Sequence, residues 1–96
     1  MSLDLEFETR LRESVNDSIA LGYNPAQFAE MLERYGGVDV AKRLVASGEL
    51  QDGLKRIVAL GHIELAMESI MLEPRFAPLF SEGELAAARW RLAQLT

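Results

Sequence analysis

The chain contains no cysteine. That absence removes disulfides, thiolate nucleophiles and cysteine-ligated metal sites. A small domain without covalent staples fits a reducing compartment, so a cytoplasmic location is expected. Histidine is nearly absent too, with His62 alone. One imidazole cannot build the usual transition-metal site, so no metal and no cofactor are expected. No run of about 18 apolar residues occurs, so neither a membrane span nor a membrane partner is expected. The first residues lack the basic patch and apolar stretch of a secretory leader. The glycines fit neither a dinucleotide fingerprint nor a phosphate-binding loop, and no metalloprotease motif is present. Repeats, low-complexity tracts and linkers are also missing.

What is present is enough for one core. Of 96 residues, 49% are hydrophobic, which predicts a single domain spanning 1–96. A chain this short buries about two-thirds of its unfolded surface. That leaves little room for a core and a deep substrate cavity together, and it favours binding over catalysis. The net charge is −5 and uneven. Residues 1–33 carry seven acids and two arginines, net −5. Residues 34–56 carry five bases and three acids, net +2, and residues 57–96 carry five acids and three arginines, net −2. The whole repels nucleic acid while the middle can form a local positive patch.

Apolar spacing is helical almost throughout. A first helix is expected over 6–21, with Phe7, Leu11, Val15 and Ile19 at four-residue steps. Leu3, Leu5 and Phe7 alternate with acids, which predicts a frayed or extended lead-in over 1–5. In the second helix Asn24 is the expected N-cap and Pro25 the first helical residue. Phe28, Met31, Leu32 and Tyr35 mark one face before Gly36-Gly37. Short helices follow over 38–47, 51–60 and 63–72, separated by Gly48 and Gly61 and closed by Pro74. Residues 75–79 form an apolar connector. Ser81 and Glu84 have the spacing of a capping box, with Phe80 and Leu85 as a hydrophobic staple, and Leu85, Ala88, Leu92 and Leu95 form the inner face of the last helix. The expected fold is all-α, a compact orthogonal or bundle-like array of five to six short helices.

From the second helix onward the sequence resembles a small helical domain of bacterial proteins with no assigned function. The likeness rests on Gly22-Tyr23-Asn24-Pro25, Phe28, Met31, Tyr35-Gly36-Gly37-Val38 and Ala41-Lys42-Arg43-Leu44. It continues in Asp52-Gly53-Leu54, Leu60-Gly61, Glu68, Met71-Leu72, Leu79-Phe80-Ser81, Glu84, Ala88-Arg89 and Leu92. About three-quarters of the chain is covered. The resemblance implies a bacterial origin and a module that works beside another domain. It brings no activity, ligand or site residue.

Few residues invite chemistry. His62 follows a glycine at a helix junction, and no carboxylate is spaced to share a helical face with it, so a capping or surface role is expected. Glu64 and Glu68 share a helix face. Glu68 interrupts an apolar stretch, which predicts a buried or half-buried ion pair with an arginine. Lys42, Arg43, Lys55 and Arg56 lie on two successive short helices in the outline of a helix-turn-helix. Against DNA binding stand the net charge and the lack of Ser, Asn or Gln along the second of those helices. Trp90, flanked by Arg89 and Arg91, is either an edge-of-core residue or an exposed partner anchor.

The function expected from these features is a non-enzymatic interaction module that binds a protein partner or itself through an apolar helix face. Phe76, Leu79, Phe80 and Trp90 are the candidate interface residues. The alternatives are a DNA-binding regulator using residues 38–60, or an acidic inhibitor that mimics nucleic-acid charge through residues 4–33.

Overall fold

The computed structural model describes residues 2–47 and 52–96. Six α-helices and two single 3-10 turns make up the described residues, and no strand is found among them. The radius of gyration is 12.2 Å, close to the ~12.5 Å of a globule of this length.

α1 spans Leu3–Ala20 and begins earlier than the sequence suggests. The extended lead-in over 1–5 is therefore corrected for residues 3–5; Met1 lies outside the described residues. Ser2 is the cap, and its hydroxyl accepts the N–H of Leu5 at 3.2 Å. Asp4 and Glu6 in the first turn favour the helix start electrostatically. The apolar face is also rotated from the expected one. Phe7, Leu11, Ser14 and Ser18 are buried, whereas Ile19 is 49% exposed. Four-residue steps drift around a 3.6-residue helix, so a face that starts at Phe7 reaches Ser14 and Ser18 instead of Val15 and Ile19. The two buried hydroxyls donate to the carbonyls of Leu65 and Ser14 at 2.6 and 2.8 Å.

α2 spans Ala26–Tyr35, with Pro25 rather than Asn24 at the cap position and no side-chain capping bond. α3 spans Gly37–Ala46 and α4 spans Asp52–Ala59. The expected Gly48 stop and the start of the fourth helix at 51 lie outside the described residues.

The helix expected over 63–72 is broken. A 3-10 turn, Ile63–Leu65, is followed by extended Ala66 and a short α5, Met67–Met71. The reason is burial. Leu65, Ala66, Met67 and Glu68 are all inside, and four consecutive residues cannot share one side of a regular helix. The break turns them inward together, and Ser69 donates to the Ile63 carbonyl at 2.7 Å. A second 3-10 turn, Ala77–Leu79, leads into α6, Glu82–Ala93. Here the capping box forms as expected. Glu84 N–H donates to Ser81 Oγ at 3.1 Å, and Ser81 N–H donates to Glu84 Oε1 at 2.8 Å.

Phe7 lies in the middle of the main core, edge-on to Phe76 and Phe80 at 5.3 and 5.2 Å. A second, smaller cluster joins Leu54, Ile57, Leu65 and Ala66. α1 and α3 cross closely. Gly36 adopts φ 83°, and a Cβ on Gly37 would stand 2.9 Å from Glu8 Cα. In that crossing Glu8 Oε1 accepts the N–H of Gly37 at 3.1 Å, so α3 is capped from another helix.

Substitutions at the crossing and at the capping box should show what each contributes. Gly37→Ala should lower stability by about 1–3 kcal/mol, because the obstructing atom is backbone and only separation of α1 from α3 relieves it; chemical denaturation measures this. Ser81→Ala should cost about 1 kcal/mol, or about 4–8 °C in Tm. The Ser81 N–H, then Lys42, hold the Glu84 carboxyl below its ordinary value. Its stabilisation is therefore fully present above the unfolded carboxylate value of about 4.3 and is lost as pH falls through the lowered folded value. Glu84→Gln should flatten the fall in thermal stability over that acidic range.

Candidate functional site

A buried ion pair ties α5 to α6. Arg91 Nε donates to Glu68 Oε2 at 2.8 Å, and the side chains are 1% and 4% exposed. The sequence points to Glu68 and to an arginine partner, but it suggests a surface position for Arg91, beside Trp90. Arg91 lies inside because positions 84, 88 and 91 of α6, with Leu95 just beyond its end, share the inward side. The spacing from Ala88 to Leu95 is the signal that identifies it.

Beside this pair, between α1, α2 and α4, lies a recess of about 400 Å³. Phe28, Met31, Leu44 and Met67 line it from the main core, and Leu54 and Ile57 from the smaller cluster. The recess is the gap where the two clusters fail to merge. Its deep polar groups are engaged. The Ser14 and Ser18 hydroxyls bond backbone carbonyls, and Glu68 holds Arg91. No buried side-chain polar atom among the described residues lacks a partner. Among the described lining residues, neither serine hydroxyl is bonded to a side-chain base.

His62 does meet a carboxylate. The 3-10 turn folds Glu64 back so that its Oε1 lies 2.9 Å from His62 Nδ1. This corrects the expectation that the two are held apart, because that expectation assumes an α-helix. The bond from His62 and the Glu64 backbone lower the Glu64 carboxyl from its ordinary value. The pair sits on the surface. Among the described residues, no three of His, Asp and Glu converge as metal ligands.

The basic residues are spread over different neighbours. Lys42 reaches Glu84 of α6 at 3.1 Å. Arg43 binds Asp39 at 3.1 Å and lies over the Tyr35 ring of α2. Lys55 stands 4.0 Å from Asp52, and Arg56 stacks on Tyr23 at 5.0 Å. A phosphate would compete with the carboxylates beside Lys42 and Arg43.

Of the four expected interface residues, Phe76 and Phe80 are 0% and 8% exposed. They pack on Phe7, which removes them from any surface in the folded chain. Leu79 is half-buried. Trp90 is the opposite case, 52% exposed. It is not alone on its face. Gly83, Ala86, Trp90 and Ala93 are all exposed, at steps of three, four and three along α6. They lie opposite the inner face of Leu85, Ala88, Leu92 and Leu95. α6 is apolar on two sides, and its own domain covers one. The sequence sets Ala86 and Ala93 beside Trp90, off the inner stripe, and Gly83 extends that line by one further step.

No family model, curated protein or solved structure matches the chain.

Arg91→Met alone should destabilise by about 3–5 kcal/mol, because the Glu68 carboxylate loses its buried partner. Combining it with Glu68→Leu should recover most of that loss, since an apolar pair of similar volume removes both charges. Urea midpoints for the single and double variants measure the difference.

Proposed function

We propose that the chain is a non-enzymatic helical interaction module, and that the outer face of α6 is its binding surface. One observation carries the reading: the largest aromatic side chain is half-exposed at the centre of an apolar stripe on a helix whose other side is already packed. Tryptophan anchors of this kind dominate interfaces once desolvated. The small residues around it let a partner approach the helix backbone. The partner is a protein helix or a second copy of the chain.

The DNA-binding alternative has less support. Lys42, Arg43 and Lys55 each have a carboxylate of the domain beside them and Arg56 a tyrosine ring, and the whole carries −5. The acidic-mimic alternative also loses part of its charge array. Glu8 caps α3 and pairs with Arg12, and Glu33 pairs with the same arginine. Among the described residues no helix is long and apolar enough to cross a membrane, and a cytoplasmic setting remains the one the cysteine-free composition fits.

Light scattering across a salt series tests the surface. Association should be nearly insensitive to salt, unlike phosphate binding. Ala86→Glu should abolish it without altering helix content, since Ala86 is exposed. Salt-steep binding to duplex DNA that is lost in a Lys55→Ala, Arg56→Ala double variant would overturn the proposal.

A further inference from the structure

We infer that the recess between α1, α2 and α4 is a binding site for a small, neutral, largely apolar molecule, such as a fused-ring aromatic, with one hydrogen-bonding group at its outer end. The inference concerns another part of the domain than the α6 face and stands independently of that reading.

The volume of about 400 Å³ lies in the range of small-molecule pockets. Its depth sets the character of the inner end. The Ser14 and Ser18 hydroxyls already donate to the Leu65 and Ser14 carbonyls at 2.6 and 2.8 Å. Glu68 is held by Arg91 at 2.8 Å. A polar group placed there finds no free donor, and a water finds too few partners to be held. An apolar group instead removes Met31, Met67, Leu54 and Ile57 from water.

Charge decides the class. Asp52 and Glu68 are the carboxylates of the lining, and no Lys, Arg or His is among its described residues. A carboxylate or phosphate ligand would therefore be desolvated there without a counter-charge. A cation would meet a Glu68 that Arg91 has already neutralised. A neutral molecule faces neither cost.

The rim supplies the handle. Tyr23 is half-buried, and its hydroxyl has no hydrogen-bond partner among the described residues. Its ring is held in place, packed on the smaller cluster and stacked with Arg56 at 5.0 Å. Gly53 of α4 stands beside it, and a Cβ there would come 3.0 Å from the hydroxyl oxygen. Gly53 is not one of the glycines with positive φ, so its backbone does not call for glycine, and alanine is the better helix former. What glycine provides at this place is open space next to an unpaired hydroxyl at the edge of an apolar recess.

Methionine methyl resonances test the site, with 2-naphthol as the probe. Met31 and Met67 line the recess and Met71 does not. The first two should shift saturably, with a Kd of about 1 mM or tighter, while Met71 and the Trp90 indole N–H stay unmoved. Naphthalene-2-sulfonate, the same rings with a charge, should bind about ten-fold more weakly or worse. Tyr23→Phe and Gly53→Ala should each weaken 2-naphthol by about three- to ten-fold at unchanged helix content. The two together should weaken it little more than either alone, because both act on one hydroxyl. No saturable shift of Met31 and Met67 up to about 2 mM would overturn the site. Equal or tighter binding of the sulfonate would overturn the neutral class, and full binding in both variants would overturn the Tyr23 handle. A shift of Trp90 without Met31 and Met67 would put the probe on α6 and overturn the recess as its site.

Discussion

The Glu68–Arg91 pair constrains the structure more than any other contact. Two charges with almost no exposure must keep each other, because either one alone in that environment faces a desolvation cost comparable to the stability of the domain. α5 has only five residues and cannot persist as a free helix. The ion pair fixes it against α6, and the break at Ala66 lets Leu65 through Glu68 turn inward together. Once α5 is placed, Ile70 and Met71 enter the core beside Phe7, and the orientation of α6 is set by Arg91 rather than by its apolar residues alone.

That constraint explains the two-sided character of α6. An amphipathic helix normally keeps its polar side for water. Here part of the inner side is occupied by a charge, an alanine and a half-buried glutamate, while tryptophan and small residues occupy the outer side. The polarity of the helix is partly inverted. The interior tolerates this because its charges are neutralised in place. The exterior has no comparable compensation within the domain.

Much of the fold is legible in the sequence. Ser81 and Glu84 mark the start of α6 because a capping box is a local motif whose partners are three residues apart. Glu68 announces an ion pair because a carboxylate set in an apolar stretch is carried inside with it and must be neutralised there. What stays hidden depends on contacts distant in the chain. Glu8 caps α3 across 29 residues, and no local pattern reveals that. Ser18 falls on the apolar side of the first helix in the sequence, but the burial of Ser14 stays hidden until the Leu65 carbonyl arrives to accept from it. The broken 63–72 segment is a compromise set by four neighbours all being buried, which periodicity alone cannot express. In the functional surface, Trp90 is visible and its companions are ordinary alanines and a glycine. Phe76 and Phe80 look like surplus apolar surface because their partner, Phe7, stands some seventy positions earlier.

That last separation has a consequence for synthesis. Phe7 leaves the ribosome some seventy residues before its ring partners, at the usual several residues per second. The two rings that enclose it are among the last quarter of these 96 residues to be made. Until they are made, Phe7 has the α1, α2 and α3 side chains of its cluster but lacks the two rings that complete its cover. The aromatic centre of the core is therefore completed only after residues 76–80 have been made. A prematurely terminated product would therefore be a ready target for chaperones and proteases rather than a partly working domain.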